Sequence, residues 1–108
     1  MSIPTIDLGT VPQPPPIPVI DVREDEEWSA GHIEGALHIP LQQLPARLGE
    51  VPAEQTLVVC KAGGRSAQAV LYLAQQGYDV INLAGGMLDW AADGRPMVSE
   101  TGEPAYVL

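Results

Sequence analysis

Short apolar runs alternate with short amphipathic segments along most of this chain. "IPVIDV" (17–22) is an apolar run rich in β-branched residues. It predicts a buried strand ending near Asp21. "REDEEWSAGH" follows and reads as a short acidic helical turn stopped by Gly31. "GALHIP" predicts a second brief strand closed by Pro40. "LQQLPARLGEVP" places Leu41, Leu44 and Leu48 at three- and four-residue spacing. That spacing predicts one or two helical turns lying on a core, with Pro45 near a helix start. "QTLVVC" is the clearest strand, because Thr56 to Val59 include three β-branched residues, as suits a strand covered on both faces. "RSAQAVLYLAQQG" is the clearest helix. Ala67, Val70, Leu71 and Ala74 fall at i, i+3, i+4 and i+7, and Gly77 supplies a C-terminal stop. "YDVINL" predicts a further strand, and "AGGMLDWAADG" a short helix opened by Gly85 and Gly86.

The ends of the chain differ. "TVPQPPPIP" (10–18) carries five prolines in nine residues. Proline is poorly tolerated inside helices and central strands, so this segment reads as an extended lead-in. An edge strand around Ile3 to Leu8 fits before it. The organisation expected is an N-terminal strand and lead-in over 1–16, a domain body over 17–98 and a tail over 99–108. Strands alternating with helices imply an α/β fold, a mostly parallel sheet with helices on both faces. In such sheets sites form where strand C-termini meet helix N-termini.

Composition narrows the function. The 108 residues suffice for one domain. Apolar residues make up 45% and Phe is absent, so Val, Ile, Leu and Ala must build the core. Fourteen acidic residues against five basic ones, net charge -9, argue against a nucleic-acid surface. The charge serves solubility, or a partner with a basic face. No apolar stretch approaches the roughly 20 residues that span a bilayer, so no membrane association is expected. No N-terminal segment reads as a secretory signal, and a single cysteine excludes an internal disulfide. A reducing, cytoplasmic setting is the expectation.

That cysteine, Cys60, sits where a strand gives way to the loop "CKAGGRS". Lys61 and Arg65, two of the five basic residues, lie within five positions of it. Gly63 and Gly64 permit positive φ and let backbone N–H groups turn inward. The following helix N-terminus adds partial positive charge. An ordinary cysteine has a pKa of about 8.5, and such surroundings lower it. Cys60 is therefore expected to be a reachable nucleophile in a pocket that welcomes anions. The alternative is a small core residue beside a plain Gly-Gly turn.

The surrounding sequence favours the first reading. "CKAGGRS" resembles the active-site loop of the rhodanese family of sulfurtransferases, with its pattern Cys-x-x-Gly-x-Arg met by Cys60, Gly63 and Arg65. "VIDVREDEEWSAGHIEGALHIP" (19–40) is similar to the family's N-terminal signature, and "VINLAGGMLDW" (80–90) to its C-terminal one. The three segments occur in family order and spacing. The resemblance implies about five mostly parallel strands with helices on both faces. It implies that Cys60 takes the outer sulfur of a donor such as thiosulfate and carries it as a persulfide. A thiophilic acceptor then removes it: cyanide in the laboratory, a thiol or sulfur-carrier protein in a cell. Lys61, Ala62, Gly63, Gly64 and Arg65 would bind the donor, the amides cradling sulfur and the two cations its negative charge. Asp21 and Arg23 would support the loop's surroundings. No cofactor is implied.

Loop length separates branches of this fold. Related phosphatases and arsenate reductases place five residues between Cys and Arg, whereas only Lys61, Ala62, Gly63 and Gly64 intervene here. Four argue for sulfur against phosphate. His32 and His38, six apart with no second cysteine, are a weak metal signal, and hydrogen-bonded turn residues are expected instead. Trp28 and Trp90 are expected to pack, and Glu24 to Glu27 to form a solvated face. Two features qualify the enzyme reading. Sulfur on Cys60 must leave to an external acceptor. The overall negative charge also repels a dianion at long range, and screening confines the loop's positive field to about 10 Å. A sulfur-relay or docking module with little turnover on small donors is the alternative.

Overall fold

Residues Thr56–Val59 form a strand in which all four side chains are buried. Their alternation divides the interior in two. Leu57 and Val59 point into one cluster, and Val58 and Cys60 into the other. A computed structural model describes residues 2–108 and shows this strand at the centre of a five-stranded sheet. The strands are β1 (Thr5–Ile6), β2 (Val19–Asp21), β3 (Leu37–His38), β4 (Thr56–Val59) and β5 (Val80–Leu83). Their order is β1-β5-β4-β2-β3, and every pairing is parallel. Val19, Ile20 and Asp21 lie opposite Leu57, Val58 and Val59, and Thr56 to Val58 opposite Val80 to Asn82.

Among the described residues three α-helices accompany the sheet: α1 (Asp25–Ala30), α2 (Gly64–Gln75) and α3 (Gly86–Ala92). On one face, α2 delivers Ala69, Val70 and Leu73 to a cluster with Ile20, Val58 and Cys60. Leu44 joins it from a pair of 3₁₀ turns, Leu41–Gln43 and Pro45–Glu50, with Leu41 and Leu48 packed around it. On the other face, Met87 and Trp90 of α3 pack with Leu57, Val59, Leu83 and the N-terminal Leu8 and Val11. Both faces of the sheet are thus covered, as the apolar runs of β2 and β4 require.

The buried stripe of α2 lies one residue earlier than the spacing predicts. Ser66, Ala69, Val70 and Leu73 are buried, while Leu71 and Ala74 are exposed. The stretch "AQAVLYLA" offers two apolar stripes of nearly equal quality about 100° apart. The buried hydroxyl of Ser66, which binds next to Cys60, settles the choice. Segment 41–50 forms the expected short helical turns, both of 3₁₀ type, with Pro45 opening the second and a kink at Arg47.

The sheet order turns around between β2 and β4. From β2 the chain steps outward to β3, then returns to place β4 on the other side of β2. Crevices open at such reversals, at the carboxyl ends of the strands. Asp21 ends β2, and Cys60 follows β4 immediately. The Val22 N–H donates to Val59 O at 3.0 Å and stitches the two ends together. The C-terminal segment runs back over α1. Val98 exchanges two backbone hydrogen bonds with His32, and the N–H groups of Glu100 and Tyr106 donate to Ser29 O and Ala30 O. A Cβ on Gly31 would come within 2.5 Å of Tyr106 O, so this crossing needs glycine. Among the described residues no helix is long and apolar enough to cross a membrane.

Candidate functional site

After Cys60 the chain reverses through Lys61, Ala62 and Gly63, and α2 starts at Gly64. Gly63 has φ +115, a left-handed conformation that glycine tolerates without strain. This conformation turns its N–H onto Cys60 Sγ, at 3.0 Å. The Ser66 hydroxyl approaches the same sulfur at 3.3 Å. Cys60 lies on the floor of the loop and is 1% exposed, so the sequence-based expectation of a reachable thiol is not met by this geometry. Burial pushes the thiol pKa up, but the Ser66 hydroxyl and the amides of Ser66, Gly63 and Ala62 pull it down more, and the balance falls below the ordinary value.

A second glycine pair holds the loop from the other side. The Met87 N–H donates to Cys60 O at 2.8 Å, and the Leu88 N–H to Lys61 O at 3.0 Å. These are free donors of the first turn of α3. They can reach the loop only because Gly86 carries no side chain. A Cβ there would stand 2.3 Å from Cys60 O and 2.7 Å from Lys61 O. The glycines of "AGGM" and "CKAGG" therefore form one packed unit.

The two cations of the loop are not equivalent. Arg65 donates from Nη1 and Nη2 to both carboxylate oxygens of Glu27 on α1, at 2.7 and 2.9 Å. Glu27 Oε1 also accepts the Glu24 N–H at 3.0 Å, tying the start of α1 to the same pair. The Arg65 guanidinium dominates the balance at Glu27 and holds its carboxyl at about 2, against the ordinary 4.5. Glu27 is thus an internal partner of the loop and not part of a solvated face. Arg23, Arg47 and Arg95 are likewise paired, with Asp21, Glu50 and Asp93. Lys61 is the basic residue that makes no ion pair among the described residues.

Asp21 and Arg23 form a fully buried pair. Arg23 donates from Nε and Nη2 to the Asp21 carboxylate, at 2.7 to 3.1 Å. Its Nη2 also donates to Gly31 O at 2.7 Å, so the pair anchors the end of α1. Its geometry fixes the helix that carries Glu27, and neither side chain bonds the loop itself. His32 and His38 sandwich the Trp28 ring at centroid distances of 3.5 and 4.6 Å. Their ring nitrogens bond Trp28 O and Arg23 O, both at 2.8 Å. Trp90 is buried in the α3 cluster and donates from Nε1 to Pro96 O. Among the described residues no group of three or more His, Cys, Asp or Glu is placed to hold a metal ion.

Three residues escaped the sequence reading as members of the site: Ser66 beside Cys60, Glu27 on Arg65, and Asn82, whose amide lies against Ser66. Asn82 carried a signal. A polar residue inside the apolar strand "VINL" is uncommon, and buried polar groups have partners. Glu27 carried none, because its partner is 38 residues away.

Comparison with known proteins agrees with this geometry. Residues 9–93 match the model of the rhodanese-like domain family. A sulfurtransferase of Allochromatium vinosum is 42% identical over 86 residues, covering 78% of this chain and 80% of its own length. The thiosulfate sulfurtransferase PspE of Escherichia coli is 36% identical over 75 residues, covering 67% and 72%. The crystal structure of a rhodanese-related protein of Thermoplasma volcanium superposes with a TM-score of 0.83 at 30% identity, over 88% of this chain and 97% of that one. With its five parallel strands and its Cys-to-Arg loop at the sheet reversal, the chain belongs to the rhodanese-like family, whose sulfurtransferases it resembles.

Proposed function

We propose that this protein is a rhodanese-type sulfurtransferase whose carrier is Cys60. The thiolate attacks the outer sulfur of a sulfane donor. With thiosulfate, a bond forms from Cys60 Sγ to that sulfur, and the old sulfur–sulfur bond breaks. Sulfite leaves with the electron pair, and a persulfide remains on Cys60. An acceptor nucleophile then attacks the terminal sulfur, and the thiolate returns. With cyanide the product is thiocyanate. The observation that carries this reading is the sulfur of Cys60 lying under inward-turned amides, with its thiol pKa lowered. The same amide donors that favour the thiolate suit a persulfide anion one bond further out.

In this reading Lys61, Ala62, Gly63, Gly64 and Arg65 surround the transferred sulfur, and Asp21 and Arg23 hold α1 against the site. Lys61 attracts the donor, since Arg65 is engaged by Glu27. No cofactor takes part. The test is intact-protein mass spectrometry before and after thiosulfate, then after cyanide. One sulfur atom gained and then lost as thiocyanate is the expected result. A folded protein with a reactive thiol that gains no sulfur would exclude thiosulfate as donor.

Two observations favour a second reading, a relay or docking module fed by a protein or low-molecular-weight persulfide. A net charge of -9 and a neutralised Arg65 make a poor receiver for a small dianion. Sulfur loading from a persulfide donor at rates far above those from thiosulfate would support it.

A further inference from the structure

The Ser66 hydroxyl has one proton and three acceptors around it. They are Cys60 Sγ at 3.3 Å, Gly63 O at 3.2 Å and Asn82 Oδ1 at 2.5 Å. A hydroxyl donates once and accepts up to twice, so it cannot serve all three. In one arrangement the hydroxyl donates to Asn82 Oδ1. Ser66 Oγ can then accept from a Cys60 S–H, giving a chain from thiol to hydroxyl to amide. A thiolate has no proton to give and needs the Ser66 proton pointed at it.

Asn82 can meet both demands. Its backbone is fixed, since β5 is paired with β4 through Val58 and with β1 through Thr5, and its N–H donates to Pro4 O. Its side-chain amide is held only through Oδ1 among the described residues. A half-turn about the terminal side-chain bond brings Nδ2 to face Ser66 Oγ. Nδ2 donates, the hydroxyl rotates, and its proton faces Cys60 Sγ. Amide oxygen and nitrogen have nearly the same shape, so the two arrangements occupy the same space.

We propose that Asn82 is a positioning residue for Cys60, an amide rotor that sets the direction of the Ser66 hydroxyl and satisfies the thiol and the thiolate in turn. The inference rests on the reading of Cys60 as the working thiol. The proton lost by the thiol goes to solvent, and only hydrogen bonds rearrange within the relay. Aspartate at position 82 would keep the acceptor and lose the donor. It could then support only the thiol arrangement.

The test is the pH profile of Cys60 alkylation by iodoacetamide in four proteins: wild type, Asn82→Asp, Ser66→Ala and the double variant. Asn82→Asp is expected to raise the midpoint by about one unit or more. A new carboxylate also acts through space, and that part persists without Ser66. The double variant measures it, and the shift caused by Asn82→Asp is expected to fall to less than half in the Ser66→Ala background. An equal shift in both backgrounds, or none in either, overturns the proposal. If the aspartate variant does not fold, the side-chain amide signals of Asn82 decide by NMR. They are expected to move with the Cys60 midpoint in wild type and to stay still in Ser66→Ala. Signals that never move, or move equally in both, overturn it. Alkylation needs no sulfur donor, so a failure to load sulfur would count against the proposed function and leave this coupling to be judged separately.

Discussion

Glu27 and Arg65, 38 residues apart, close on each other through two hydrogen bonds of 2.7 and 2.9 Å. The pair joins α1 to the first turn of α2, and it removes one of the loop's two cations from free service. The side chains are 14% and 33% exposed, so solvent weakens the pair without dissolving it. Depression of the Glu27 pKa from 4.5 to about 2 corresponds to about 3 kcal/mol undiscounted, and screening at the exposed guanidinium reduces this to about 1–2 kcal/mol. A carboxyl whose pKa is lower in the folded state stabilises fully above its unfolded value and loses that effect as pH falls through the folded one. Glu27→Gln is therefore expected to cost about 1–2 kcal/mol near pH 6. The gap from wild type is expected to narrow to less than half near pH 3. Urea unfolding at the two pH values checks it, and a gap that stays constant would detach Glu27 from the effect.

The same substitution releases Arg65. If the loop receives an anionic donor, Glu27→Gln lowers the thiosulfate KM, while Lys61→Ala raises it roughly two- to fivefold, the scale of one exposed charge pair. Lys61 makes no ion pair among the described residues, so its loss is expected to change stability by no more than about 0.5 kcal/mol. Steady-state kinetics at low and moderate salt measure both. A KM indifferent to Lys61 and to ionic strength would remove charge attraction from donor binding.

Cys60→Ser is expected to abolish sulfur loading and turnover while the thermal midpoint stays within a few degrees. Serine nearly matches cysteine in shape and can accept the Gly63 N–H that Sγ accepts now. Thiocyanate release by the serine variant would refute Cys60 as the carrier.

Two glycines of the site predict opposite outcomes. Gly86→Ala places a Cβ 2.3 Å from Cys60 O at φ +51, against backbone that cannot move aside without loosening the loop. It is expected to cost at least about 2 kcal/mol. Gly64 has open space around its Cβ position and no positive φ, at the first position of α2. Gly64→Ala is expected to be neutral or to stabilise by up to about 1 kcal/mol. Paired denaturation curves decide, and equal effects would contradict the packing of α3 on the loop.

Much of this molecule is legible in its sequence. The β-branched run Thr56–Val59, the glycine-opened helices and the three signature segments are local features, and backbone sterics act locally. The stripe of α2 was misread by one residue because "AQAVLYLA" is apolar on two neighbouring faces, and only contact with Cys60 and the sheet selects one.

Sequence alone determined the strand-and-helix alternation, the family likeness and the loop that turns donors toward a sulfur. Each depends on residue types a few positions apart, where chain geometry leaves little choice. Tertiary structure decided which residues complete the site. Glu27 meets Arg65, and Asn82 meets Ser66, because the order β1-β5-β4-β2-β3 brings distant segments to the sheet's carboxyl edge. The distribution of charge around Cys60 follows from that ordering: of two cations four positions apart in sequence, the fold pairs Arg65 and leaves Lys61 free of ion pairs among the described residues. Charge pairing depends on distance in space, and spacing along the chain carries no record of it.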